Sequence, residues 1–239
     1  MLTPMNLLFF DTETTDLDDA RLVQLAYKNT STEEELCEYF KPPIPISFGS
    51  MAIHHITNEM VEDKSAFKGS EAHKKLLSNL ESAIAVAHNA LFDIRVLKHE
   101  GVEITNYIDT LRVSRHVIDA EQYTLQFLRY FLDLGVDAVA HDAAGDVAVL
   151  EALFFHLFSV VESEFALQNQ EAVVDKLLYL TNTPVLLETF VFGKYKGRTF
   201  KEIGEEDQSY LQWLHGSETQ KKSSDQNEDL VYTLQHYLT

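Results

Sequence analysis

The stretch Asn6-Leu7-Leu8-Phe9-Phe10-Asp11-Thr12-Glu13-Thr14 decides the fold. Residues 6–10 form a short apolar run that ends on Asp11, the pattern of a buried strand delivering a carboxylate at its C-terminal end. Strand residues two apart point the same way, so Asp11 and Glu13 share a face. Downstream, residues 21–27 and 34–40 alternate as partner strands with a turn at residues 16–19, which predicts a three-stranded meander. After the Lys41-Pro42-Pro43-Ile44-Pro45 loop the chain reads as helical and polar to about Ser82. Residues 83–87 then form a short apolar strand, and a helix follows from Ala90 to about Glu100. This alternation predicts an α/β fold, a mixed sheet with helices on its faces.

Two helix starts repeat one design. Asn89 and Asp142 stand as N-caps, each with an aspartate four residues on, Asp93 and Asp146. A carboxylate in the first turn meets the positive end of the helix dipole. The second of these helices, residues 143–161, is apolar on nearly every face and is predicted to be buried. Composition shifts at Thr181-Asn182-Thr183-Pro184, dividing the chain into an expected domain over residues 1–180 and a small module over residues 185–239.

Composition narrows the classes. Hydrophobic residues make up 45% of the chain, with 15 Phe and 10 Tyr, enough for a sizeable core rather than disorder. The single cysteine, Cys37, excludes an internal disulfide and a thiolate zinc cluster. The apolar start lacks the basic flank and cleavage site of a signal peptide, and no run reads as a membrane span, so the expectation is a soluble cytoplasmic protein with no membrane partner. The net charge of −19 opposes a general electrostatic grip on nucleic acid. Cations held by clustered acids reverse that field locally, which fits weak, distributive action at a small site.

Asp11, Glu13, Asp93 and Asp146 lie at element boundaries where one edge of a sheet can gather them. Any one alone reads as a solvated turn residue. Together they would repel and lose hydration, an unfavourable arrangement unless two divalent cations, Mg²⁺ or Mn²⁺, neutralise them. Such ions orient and acidify a water and stabilise a leaving oxygen at phosphorus. His141, titrating near neutrality and just ahead of Asp146, suits a general base for that water. The reading is a metal-dependent phosphodiesterase.

Asp11-Thr12-Glu13-Thr14, His88-Asn89-Ala90-Leu91-Phe92-Asp93 and His141-Asp142-Ala143-Ala144-Gly145-Asp146 resemble, in order and context, the three motifs of the DnaQ-like DEDDh exonuclease superfamily, over about residues 5–165. The resemblance implies a ribonuclease H-like fold with a central five-stranded mixed sheet and two-metal 3′-to-5′ exonuclease chemistry. It implies Asp11, Glu13, Asp93 and Asp146 as metal ligands and His141 as general base. Met51-Ala52-Ile53-His54-His55-Ile56-Thr57 resembles the family segment beside the 3′-terminal nucleotides, where Ile53 and His54 wedge against a base. An amphipathic helix start is the competing reading of that segment. Phe92 is a stacking platform or core. Thr12, Thr14, His88 and Asn89, within the motifs, complete the expected substrate-binding set.

Arg112 and Arg115 share a face of a helix after Asp109-Thr110 and read as ordinary surface charge, as do Lys74 and Lys75. Residues 190–200 alternate aromatic with basic side chains around two glycines, as in a tight hairpin, followed by a helix through Tyr210-Leu211-Gln212-Trp213-Leu214. The basic residues could track single-stranded nucleic acid, whereas Phe190, Phe200 and Trp213 read better as the module's own core. These stretches resemble the C-terminal module of the exonuclease X branch of the superfamily. The expected partners are therefore single-stranded nucleic acid 3′ ends, DNA favoured over RNA. A polymerase proofreading subunit, an RNA-trimming exoribonuclease and a non-catalytic nucleic-acid adaptor stand as alternatives.

Overall fold

The computed structural model describes residues 5–136, 143–222 and 226–238. The chain divides into two compact units, Met1–Thr181 and Asn182–Thr239. In the first, β1 (Leu7–Thr14), β2 (Leu22–Asn29), β3 (Glu35–Tyr39), β4 (Ile84–Ala87) and β5 (Tyr107–Asp109) form one mixed sheet in the order β3-β2-β1-β4-β5. The meander β1-β2-β3 is antiparallel, and β4 and β5 run parallel to β1. β1 runs through Thr14, so the whole Asp-x-Glu segment is strand and keeps its alternation. The register slips between Glu13 and Thr14, a local irregularity beside the carboxylates of the kind that re-aims side chains next to sites.

Alternation along β1 sorts the two cores. Leu8 and Phe10 enter one apolar cluster with Val96 and Leu97 of α4 (Ala90–His99) and Leu76 of α3 (Glu71–Leu80). Leu7 and Phe9 enter the other, with Val113 of α5 (Thr110–Val117), Leu128 of α6 (Leu125–Phe131), Leu150, Phe154 and Leu157 of α7 (Ala143–Glu164) and Leu177 of α8 (Gln170–Thr181). Phe9 and Phe154 meet edge to face with centroids 5.4 Å apart. α7 is long and apolar enough to cross a membrane by length and composition, but half of its apolar window is buried within the protein. α6 and α8 carry no signal strong enough to be read from the sequence. Two short helices, α1 (Phe48–His54) and α2 (Asn58–Val61), occupy the stretch after the proline loop.

The second unit joins a hairpin-like turn to helices, three of them among its described residues. Its aromatic segment closes as a turn with one isolated bridge, Thr189 to Thr199, and leads into α9 (Phe200–Glu206), α10 (Gln208–Thr219) and α11 (Glu228–Leu238). Gly193 adopts φ +70°, and a Cβ there would lie 3.0 Å from the Tyr210 hydroxyl, so the turn needs glycine on both counts. Phe190 and Phe200 stack at 3.8 Å in the core, as expected, but Trp213 is 63% exposed and lies outside it. Two of the basic residues of this stretch pair within the module. Arg198 forks onto both oxygens of Glu206 at 2.7 and 2.8 Å, and Lys194 reaches Asp207 at 3.2 Å.

Candidate active site

The alternation that sends Leu7 and Phe9 toward α7 sends Asp11 and Glu13 the same way, and Asp146 meets them from the first turn of α7. One carboxylate oxygen from each of Asp11, Glu13 and Asp146 lies within 4.8 Å of the others. Burial holds the Asp11 carboxyl well above the usual carboxylate range, and the negative charges of Asp93, Glu13 and Asp146 add to it. Carboxylates crowded in this way favour a cation among them, and their hard oxygen donors fit Mg²⁺ or Mn²⁺.

Asp93 approaches from the opposite side of β1. It is buried in the first turn of α4, and its Oδ1 accepts from Thr12 N at 3.1 Å and Thr12 Oγ1 at 2.5 Å. Burial pushes its pKa up to about 7, against the lowering effect of the Thr12 hydrogen bonds. These raised values fix the sign of a stability effect. A carboxyl whose folded pKa is raised favours the folded state below its unfolded value, near 3.9, and loses that contribution as pH climbs through the folded value. The metal-free protein is therefore expected to lose melting temperature between about pH 4 and 7, and saturating Mg²⁺ to abolish the loss. Thermal melts in chelator and in Mg²⁺ across that window check it, and a pH-independent melting temperature in chelator would contradict it.

The sequence assigned Thr12 and Thr14 to substrate, yet both are buried. Thr12 orients Asp93, and Thr14 Oγ1 donates to Asp16 O at 2.9 Å. His54 is also buried. Its Nδ1 accepts from Ile56 N at 3.0 Å, which leaves Nε2–H to donate to Thr14 O at 3.1 Å. It pins α1 to the end of β1. Ile53, its neighbour, is 52% exposed and free to wedge against a base. His88 is tied on both ring nitrogens, to Thr110 Oγ1 at 2.9 Å and Tyr123 O at 2.7 Å, and burial pushes its pKa down to about 4. It is a neutral strut between Thr110 and Tyr123. Phe92 is partly buried against the core of the α4 face. His141 and Asp142 lie outside the described residues.

Asn89 occupies the cap position of α4 but makes no side-chain cap hydrogen bond, because its backbone is left-handed at φ 66°. Asp109, at the end of β5, takes over that task. Its Oδ1 accepts from Asn89 N and from Leu111 N, each at 3.0 Å, so one carboxylate organises the starts of both α4 and α5. Arg112 donates to Thr181 O at 3.1 Å and so ties α5 to the end of α8, a structural use that surface charge did not foretell.

Gln126 is the residue the sequence did not disclose. It lies in the first turn of α6, and its Nε2 donates to Asp146 Oδ1 at 2.5 Å, while its Oε1 accepts from Arg129 Nη1 at 3.2 Å. Arg129 is itself buried and anchored on Val136 O at 2.6 Å. Partners that orient ligating carboxylates are worth about 10- to 100-fold in metal affinity or activity. Gln126→Ala is expected to raise the Mg²⁺ concentration for half-maximal rate by that factor while the rate at saturating Mg²⁺ changes little. A Mg²⁺ titration of hydrolysis measures it, and an unshifted midpoint would reduce the contact to packing.

The Exonuclease family profile matches residues 8–154, which holds β1, α4 and the first half of α7. The chain belongs to the exonuclease family. This exonuclease also matches the Exodeoxyribonuclease X-like C-terminal profile over residues 190–216. It is 30% identical over 202 residues to Exodeoxyribonuclease 10 of Escherichia coli strain K12, covering 83% of this chain and 82% of that protein. It is 29% identical over 189 residues to the DNA polymerase III subunit epsilon of Rickettsia prowazekii strain Madrid E, covering 71% and 81% respectively. Among solved structures it is similar to Exonuclease X in complex with 5′ overhanging duplex DNA, with a TM-score of 0.58, 26% identity, and coverage of 74% of this chain and 99% of that one. As an enzyme, this exonuclease is a 3′-to-5′ phosphodiester hydrolase, and the adaptor reading is set aside.

Proposed function

We propose that this exonuclease removes nucleoside monophosphates from the 3′ ends of single-stranded DNA, DNA favoured over RNA, in the cytoplasm. The observation that carries the reading is the convergence of Asp11, Glu13 and Asp146 oxygens within 4.8 Å, with Asp93 buried beside them and coupled to Asp11 by charge. These four side chains would hold two divalent cations, Mg²⁺ or Mn²⁺. When bound, the cations supply water activation and stabilisation of the leaving oxygen.

The chain's own residues do the rest. Thr12 and Gln126 each fix one carboxylate oxygen, of Asp93 and Asp146, and so orient the two side chains. His141 takes a proton on a ring nitrogen from the attacking water as its oxygen bonds to phosphorus and the bond to the 3′ oxygen breaks. The departing 3′ oxygen takes up a proton and becomes the new 3′ hydroxyl, and the released nucleotide keeps a 5′ phosphate. Ile53, exposed on α1, offers an apolar surface to the terminal base. The C-terminal match supports the exonuclease X-type reading over a proofreading subunit.

Hydrolysis of matched DNA and RNA strands should stop in excess chelator and return on adding Mg²⁺ or Mn²⁺, with DNA degraded faster. Full activity in chelator would remove the metal site from the reading, and faster RNA degradation would reverse the substrate assignment.

A further inference from the structure

Acids outnumber bases two to one in this chain, 38 to 19, yet one cavity of about 430 Å³ in the nuclease unit is lined by Arg21, Lys41 and Lys68 with a single acid, Glu100. Its apolar wall is Phe67, Pro42 and Pro43. Glu100 is buried and already engaged, since Arg21 Nε and Nη2 both donate to its Oε1 at 3.0 and 2.8 Å. That pair is neutral, and Arg21 Nη1 is not used in it. Lys41 Nζ donates to Glu62 O at 2.8 Å, a neutral carbonyl, so its charge and two of its three N–H groups remain available. Lys68 lies across Gly101, close enough that a Cβ there would be 3.5 Å from its Cε and 3.7 Å from its Nζ. Among the described residues Lys68 has no hydrogen-bond or carboxylate partner. The cavity therefore carries two uncompensated positive charges beside a third, engaged guanidinium, with free N–H donors from each.

Its position connects it to the site. Arg21 N donates to Thr15 Oγ1, and Arg21 O accepts from Thr15 N, both at 3.0 Å. Thr15 lies two residues beyond Glu13, about 7 Å of extended chain. From this placement we infer that Arg21, Lys41 and Lys68 form a phosphate-class anion site that holds the phosphodiester backbone of the nucleic-acid substrate near the carboxylate centre. The inference rests on the nuclease reading above. It supplies what the acidic balance of the chain otherwise lacks, a local cationic handle on a polyanion. A free phosphate or a nucleoside monophosphate has the same chemistry and is the other source the test must separate.

The variants are made at the two lysines, since removing Arg21 would leave Glu100 buried and unpaired. In the full chain with Mg²⁺, Lys41→Ala/Lys68→Ala is expected to raise KM for a long single strand on the order of tenfold, with kcat unchanged. The slope of log KM against log salt should fall by about 1.4, two contacts at about 0.7 each. Lys41→Arg/Lys68→Arg should restore both. Hydrolysis of thymidine 5′-p-nitrophenyl phosphate, too short to span the two places, should not change.

Anisotropy of a labelled oligonucleotide in chelator, where nothing turns over, gives the second arm. There, the double alanine variant should bind more weakly, and inorganic phosphate or thymidine monophosphate should compete far less well than unlabelled oligonucleotide. Competition by either small anion as effective as by the oligonucleotide would assign the pocket to a free anion and overturn the inference. Unchanged KM, salt slope and anisotropy in a variant whose parent degrades DNA normally would also overturn it, leaving the nuclease reading intact. A parent that degrades no nucleic acid would sink the nuclease reading instead, and the anisotropy arm would still decide the pocket.

Discussion

Asp11→Ala should leave a folded protein with hydrolysis reduced by at least about 10⁴-fold, because the substitution removes the carboxylate that Asp93, Glu13 and Asp146 all crowd. The same crowding predicts a second, opposite effect. Burial and three like charges oppose ionisation of Asp11 in the metal-free protein, so its removal should raise the melting temperature at neutral pH in chelator. A variant that is dead and more stable separates loss of metal site from loss of fold. Turnover together with melting in chelator checks both halves. An active variant, or one that melts lower, would contradict the role given to Asp11.

His141→Ala should slow the chemical step by roughly 10² to 10⁴, the usual contribution of a general base, while the four carboxylates and the Mg²⁺ midpoint stay as they are. The base must be neutral to accept a proton, so the wild-type rate should fall as pH drops through the histidine range. The variant should lack that inflection. Single-turnover rates from acid to neutral pH at saturating Mg²⁺ measure both. Equal rates, or an acidic limb shared by the two proteins, would remove His141 from the chemistry.

The placement of the carboxylates was legible in the sequence because its information is local. Asp11 and Glu13 are two apart in a strand, and Asp93 and Asp146 each stand in the first turn of a helix. Alternation and dipole placement are one-dimensional rules. What holds those carboxylates in place was not legible. Gln126 meets Asp146 across 20 residues of chain, and Thr12 meets Asp93 across 81, through the packing of α6 on α7 and α4 on the sheet. Asn89 has the residue type of a cap and the backbone of a left-handed turn, and Asp109 supplies the cap from another strand.

The motif threonines and histidines have structural contacts that the sequence did not disclose, for a related reason. Polar residues next to catalytic ones invite a substrate role, whereas Thr14, His54 and His88 bond to the backbone carbonyls of Asp16, Thr14 and Tyr123. In the C-terminal module the same principle applies to charge. Interleaved basic and aromatic residues suggested a nucleic-acid track, but Lys194 and Arg198 find carboxylates 13 and 8 residues on, in Asp207 and Glu206.

The most direct measurement is a time course on one single-stranded DNA, labelled at the 5′ end in one reaction and at the 3′ end in another, with Mg²⁺ and resolved at single-nucleotide resolution. The site described here gives a 5′-labelled ladder that shortens one nucleotide at a time, and immediate release of labelled mononucleotide from the 3′-labelled strand. Both should vanish in chelator and in Asp11→Ala. Internal cuts, release from the 5′ end, or an undiminished ladder in chelator would contradict a metal-dependent exonuclease acting from the 3′ end.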